Sequence, residues 1–229
     1  MKYKNIIKGI FIKRINRFIA IYSIDNKEVT VYVPNTGRCK ELFIKGSTVY
    51  LSQNNSSSRK TQYSLISIYK NNILINIDSQ APNQLVEEAI KKGLILKDYK
   101  ITKYKRECNY KNSRFDFYIE NSLNRGFIEV KGVTLENKGH TSFPDAPTSR
   151  GLKHVEELIK AKEEGYDAFI IFVIQLTPVT DFIPNKKMQE EFSNALKKAI
   201  NKGVSVLCYE CCVKKDEINI KDRVPLGKF

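Results

Sequence analysis

Ser113-Arg-Phe-Asp116-Phe-Tyr-Ile-Glu120 and Gly126-Phe-Ile-Glu129-Val-Lys131-Gly132, separated by a short polar connector, read as the two strands of one β-hairpin. In the first strand Phe115, Phe117 and Ile119 alternate with Arg114, Asp116 and Tyr118. In the second, Ile128 and Val130 point one way and Phe127, Glu129 and Lys131 the other, because side chains of a strand alternate between its faces. Glu129 and Lys131 therefore share a face about 6.6 Å apart. The hairpin can set Asp116 beside them, so that two carboxylates converge next to one ammonium.

Outward from the hairpin the pattern is α/β. On its N-terminal side, Asn83 to Lys92 reads as a helix with Leu85 and Ala89 inward and Gly93 ending it. Strands are expected at about 100–107, 114–120 and 127–135, then a long loop over 136–148 and a helix over 149–164. That helix carries Leu152, Val155, Leu158 and Ile159 on one face. Asp167 to Gln175 holds Ala-Phe-Ile-Ile-Phe-Val-Ile, an apolar run suited to a strand buried on both faces. A helix at 186–201 and a strand at 204–213 complete the layer, and the last dozen residues receive no assignment.

Residues 1–80 differ in kind. Segments at 6–24, 28–33, 47–52, 62–69 and 72–77 are rich in Ile, Val, Tyr and Thr, and Pro34-Asn-Thr-Gly37 is turn chemistry. Five short strands in a small basic unit point to a five-stranded OB-type barrel. The expected architecture is a two-domain α/β (α+β) chain, with a barrel over 1–80 and an α/β domain over 81–229.

The chain has 229 residues with 39 basic and 25 acidic side chains, a net charge of +14. Residues 1–80 hold 13 Lys and Arg against 4 Asp and Glu; the remainder holds 26 against 21. Such asymmetry suits a polyanion, because each neutralised phosphate releases counterions. A lysine-rich solvated surface fits the same numbers. Lys13-Arg14-Ile-Asn-Arg17-Phe18 sets cations beside an aromatic, and Arg38 follows the Pro34–Gly37 turn. Arg14, Arg17 and Arg38 are candidate nucleic-acid contacts, with Phe18 expected in the core. No apolar run approaches the roughly 18 residues of a membrane span and the first residues carry no signal-peptide pattern, so a cytoplasmic protein is expected. The five cysteines, odd in number and lacking a second C-x-x-C pair, read as core thiols rather than disulfides or a zinc site.

Asp116 and Glu129 can share a hard divalent cation, Mg²⁺ or Mn²⁺, with Lys131 stabilising charge at an attacked phosphoryl group. Glu88 on the preceding helix can complete the acidic cluster. The same residues also fit a cross-strand ion-pair ladder on a solvated face, and Glu88 fits an ordinary exposed helix position. Arg150 and His154, four apart at a helix start and so on one face opposite the apolar stripe, are candidate phosphate contacts, with His154 also a proton donor. An Arg150–Asp145 pair and a surface histidine are the alternative.

The motifs Pro34-Asn-Thr-Gly37, Asn83-x-Leu-x-x-Glu88-Ala-Ile, Ser113-Arg-x-Asp116-Phe, Ile128-Glu-Val-Lys-Gly-Val-Thr-Leu135 and Phe143-Pro-Asp-Ala-Pro-Thr-Ser-Arg-Gly-Leu-Lys-His154 resemble those of the sugar fermentation stimulation protein A family. The resemblance implies an N-terminal OB-like domain and a PD-(D/E)XK nuclease-like α/β domain. It also implies DNA binding and a link to sugar utilisation. By position, the nuclease-like pattern falls on Asp116, Glu129 and Lys131, with Glu88 as the helix acid. Gly132 stands where the family often has serine. Two functions follow as expectations: a metal-dependent nuclease, or a non-catalytic DNA-binding regulator. A sugar sensor is the weaker third.

Overall fold

The computed structural model describes residues 1–35, 37, 39–54 and 61–229. Among the described residues, six strands build the N-terminal unit: β1 (Ile6–Arg14), β2 (Ile19–Ile24), β3 (Lys27–Tyr32), β4 (Thr48–Gln53), β5 (Tyr63–Lys70) and β6 (Ile73–Asn76). They run in the order β3-β2-β1-β4-β5-β6, and a parallel pairing of Val31 with Tyr63 joins β3 to β5. That contact closes the five-stranded OB barrel, which removes its open edges. The segment expected as one strand over 6–24 is a hairpin instead. Asn16 breaks it, its Oδ1 accepting the backbone N–H groups of Phe18 (2.9 Å) and Ile19 (3.0 Å). The next hairpin turns through Asp25 and Asn26, both at positive φ (48° and 63°), which suits the right-handed strand twist.

In the second unit, α1 (Ala81–Lys91) precedes β7 (Lys103–Tyr110), β8 (Ser113–Glu120) and β9 (Arg125–Val133). There follow β10 (Leu135–Asn137), β11 (His140–Phe143), α2 (Ser149–Glu163), β12 (Asp167–Ile174) and β13 (Asp181–Pro184). The chain ends with α3 (Glu190–Asn201), β14 (Ser205–Val213) and β15 (Ile218–Arg223). The main sheet has the order β15-β14-β12-β9-β8-β7, with β9, β12 and β14 parallel. Residues of α1 pack on one face with Phe117, Ile128 and Val130, while α2 and α3 cover the other with Phe127, Ile170 and Phe172. Burial on both faces explains the unbroken apolar run of β12.

Two further expectations are corrected. The loop over 136–148 contains β10 and β11, which join β13 in a small third sheet. The helix expected at 186–201 starts at Glu190, after a turn in which Asn185 Oδ1 accepts the Met188 N–H at 3.2 Å. The unassigned tail supplies β15, antiparallel to β14. All five cysteines are free thiols. Cys208 lies in the apolar cluster under α2 and α3 and Cys211 in the one under α1, so the C-x-x-C sulfurs face opposite sides of the sheet.

The barrel and the α/β domain share one apolar cluster that runs from Phe11 and Leu51 to Phe172 and Phe192. Polar ties cross the same junction. Buried Gln175 donates to Asn76 Oδ1 at 2.8 Å and to the Asp78 carbonyl at 3.0 Å. Lys70 of β5 reaches Glu136 of β10 at 2.7 Å, both largely buried. Burial pushes the Glu136 carboxyl up, but the Gly139 N–H and the Lys70 ammonium outweigh it and hold it below its ordinary value. Glu136 thus stabilises the fold above the ordinary carboxylate range, and this contribution is lost as pH falls through its depressed value. Lys70→Met leaves that buried carboxylate without its counter-charge. Urea unfolding at neutral pH is expected to show a loss of about 2–3 kcal/mol, shrinking at acid pH.

Candidate active site

β8 and β9 pair from Phe117↔Ile128 to Glu120↔Arg125. Just beyond that ladder, β8 turns over. Phe117 and Ile119 pack under α1, but Phe115 packs on the α2 side, so the simple alternation expected for Phe115, Phe117 and Ile119 breaks at Asp116. Glu107 of the neighbouring strand takes a positive φ of 53° at the same level, between the Arg106↔Phe117 and Cys108↔Phe115 pairs. The distortion aims Asp116 at its neighbours. Its Oδ2 accepts the Val130 N–H at 2.8 Å, and its Oδ1 accepts Nδ2 of Asn83, in the first turn of α1, at 2.8 Å.

Glu129 projects from β9 toward α2 and is 3% exposed. Its Oε1 is hydrogen-bonded by both Lys131 Nζ and His154 Nδ1. Its Oε2 is buried and has no hydrogen-bond partner among the described residues. The two carboxylates are driven apart electrostatically. Burial and the charge of Glu129 push Asp116 up, relieved in part by Val130 N–H and Asn83. Burial also raises Glu129, but His154 and Lys131 outweigh it and hold its carboxyl below the ordinary value. Paired acids with opposite shifts are a feature of catalytic centres.

Of the other candidate residues, His154 joins this cluster. It is buried, which corrects its expected place on the face of α2 opposite the apolar stripe. Thr148 caps α2 by accepting the Gly151 N–H at 2.9 Å, and from that start the buried positions Gly151, His154, Val155 and Leu158 form one face. Arg150 is exposed and lines a groove of about 410 Å³ with Arg114, Lys153 and His154. Glu88 stands elsewhere: its Oε2 takes the Met1 ammonium at 3.0 Å. The reason is angular, since five residues at 100° each turn Glu88 well away from the face on which Asn83 meets Asp116.

In the barrel, Arg14 lies over the Phe43 ring at 4.4 Å and donates to the carbonyls of Arg17 (2.7 Å) and Asn16 (3.2 Å). It braces the loop after β1. Arg17 is exposed on the wall of the cleft between the two domains. Phe18, expected in the core, is exposed and stacked on Tyr32. Arg38 lies outside the described residues. Reading single residues missed Asn83, Arg114 and Lys153, although Asn83 opens one of the quoted motifs. Among the described residues, no three His, Cys, Asp or Glu side chains are grouped to hold a metal ion. Two carboxylates are present, one with a free buried oxygen. That set suits a hard cation that keeps several waters.

A closed OB barrel fused to a mixed α/β domain, with two carboxylates and a lysine on the central hairpin, defines a two-domain class that sequence comparison identifies. The family description "SfsA N-terminal OB domain" matches residues 12–77, and "Sugar fermentation stimulation protein RE domain" matches residues 80–217. The chain belongs to the sugar fermentation stimulation protein A (SfsA) family. It is 53% identical to the sugar fermentation stimulation protein homolog of Clostridium beijerinckii and 52% identical to that of Ruminiclostridium cellulolyticum, each alignment covering 98% of both chains. Among solved structures, that of Pyrococcus furiosus SfsA in complex with Ca²⁺ superposes with a TM-score of 0.90 at 29% identity, covering 100% of this chain and 98% of the other. No described helix is long and apolar enough to cross a membrane.

Proposed function

We propose that the protein is a Mg²⁺- or Mn²⁺-dependent phosphodiesterase acting on nucleic acid, DNA first. The observation that carries this reading is the free, buried Oε2 of Glu129, a carboxylate whose other oxygen takes Lys131 and whose charge acts on Asp116. A buried carboxylate oxygen without a donor is costly unless a ligand completes it. Asp116 and Glu129 would hold the cation, which supplies Lewis-acid charge and an acidified water when bound. The Pyrococcus furiosus relative was solved in complex with Ca²⁺, a hard cation that takes oxygen ligands, which supports the reading.

The remaining roles belong to side chains. Lys131 places an ammonium where negative charge grows on a phosphoryl group. His154 and Asn83 hold the rotamers of Glu129 and Asp116. Arg114, Arg150 and Lys153 offer cations to flanking phosphates, in line with the net charge of +14.

Single-turnover cleavage of end-labelled DNA and RNA, with Mg²⁺, Mn²⁺ or EDTA, tests the reading. Product is expected with metal, none with EDTA and none from Glu129→Ala. Binding without product under every metal would replace the enzyme by a non-catalytic DNA-binding regulator. The groove makes a separate prediction. Arg150→Ala with Lys153→Ala should weaken binding about equally for all sequences. The salt slope should fall by about 1 for each phosphate the variant no longer neutralises, read from anisotropy titrations across salt.

A further inference from the structure

We propose that the ligand of this site is a single strand, led from an aromatic step on the barrel into the cleft between the domains. The inference rests on the nucleic-acid reading above and names the form of substrate. The cleft has a volume of about 400 Å³. Asn35 and Gly37 of the barrel line one side, and Thr134, Asp145 and Thr148 of the α/β domain line another. Pro82 and Gly132 also line it. They adjoin in sequence Asn83 and Lys131, the side chains that hold Asp116 and Glu129. The cleft lining thus comes within one residue along the chain of both side chains that hold the carboxylates. A Cβ at Gly132 would stand 2.6 Å from Gln175 Oε1 and 2.8 Å from Pro82 Cγ, so the wall there is bare backbone packed tight.

Arg17 lines this cleft, and the next residue in the chain, Phe18, stacks on Tyr32 outside the lining itself. Their rings are nearly parallel, 17° apart in plane and 6.4 Å between centroids, and they are 42% and 38% exposed. Two large aromatics stacked in water beside an arginine gain little for the fold. They offer π-faces to unpaired bases, which stack on such platforms whatever their sequence. A duplex keeps its base faces stacked inside and shows edges and phosphates instead. A cavity of small-ligand size admits a nucleotide of a single strand and excludes a duplex. Beyond the carboxylates the cationic groove continues the track: Thr148 lines the cleft and Ser149 the groove.

The test is equilibrium anisotropy in EDTA, which needs no turnover, with labelled probes of about 20 nucleotides, longer than the roughly 4–16 an OB barrel covers. The probes are a DNA strand, an RNA strand of the same sequence and the blunt DNA duplex. A strand, DNA or RNA, is expected to bind about 10-fold or more tighter than the duplex at equal salt. Phe18→Ala with Tyr32→Ala should weaken strand binding roughly 10–100-fold and leave duplex binding unchanged. Both side chains are exposed, so an unaltered thermal melt verifies the fold. Ala146→Trp, which fills the cleft, should weaken strand binding too. Equal affinity for strand and duplex, or strand binding indifferent to either variant, overturns the proposal. Absence of cleavage in every lane would overturn the phosphodiesterase reading and leave this result standing.

Discussion

Asp116→Asn should lose metal-dependent cleavage by about 10³-fold or more, roughly 4 kcal/mol of barrier, and yet melt at a higher temperature than its parent. Both effects have one cause. Burial and the neighbouring Glu129 charge raise the Asp116 carboxyl in the folded state. A folded-state value above the unfolded one means that folding favours the protonated acid. This contribution is fully present below the ordinary aspartate range and is lost as pH rises through the raised value. At neutral pH the parent therefore folds against a penalty that a neutral amide escapes.

The amide also fits the local hydrogen bonds. Its oxygen can keep the Val130 N–H, and its NH₂ can be taken by Asn83 once that side chain flips. The gap in melting temperature should open as pH rises through the carboxylate range and close at acid pH, with roughly 2–4 °C for each kcal/mol recovered. Melts from acid to neutral pH, alongside single-turnover assays, measure both. A variant that cleaves like its parent would remove Asp116 from the site. One that melts lower at neutral pH would refute the electrostatic account.

Phe172→Ala is the largest expected loss of stability. Phe172 is fully buried at the centre of β12. Its ring stacks on Phe182 at 4.1 Å and packs near Phe143 at 5.7 Å, so it joins the main sheet to the small third sheet. Deleting it removes a large apolar surface and leaves a cavity that three secondary elements cannot all close. About 3–5 kcal/mol should be lost, read as a lower urea midpoint with unchanged slope. Phe172→Leu should lose clearly less, because most of the volume is kept. Equal losses in the two variants would show that ring geometry, rather than volume, matters there.

Much of this was legible in order along the chain. Alternation and β-branched residues marked the barrel strands, and the apolar run from Ala168 to Ile174 marked a strand buried on both faces. The two-residue spacing of Glu129 and Lys131 placed them on one face, where they meet. The loop over 136–148 misled because β10 and β11 are short and gain their place from β13, about 40 residues away in sequence. Phe18 misled because an aromatic in an apolar-rich segment reads as core. Nothing nearby in sequence says that β2 begins only one residue later, at Ile19.

The sequence by itself determined the helices and the longer strands in their order, the basic barrel and the three charged groups of the hairpin, since these follow from local periodicity and residue chemistry. The tertiary structure alone decided which groups meet. It turned β8 over at Asp116 so that Asn83 and Val130 could hold it. It gave Glu88 to the Met1 ammonium and His154 to Glu129. The physical reason is that periodicity sets the angle of a side chain about its own strand or helix. The partner it finds depends on how separate elements pack, and that is settled by the shapes of the two apolar clusters on either face of the sheet.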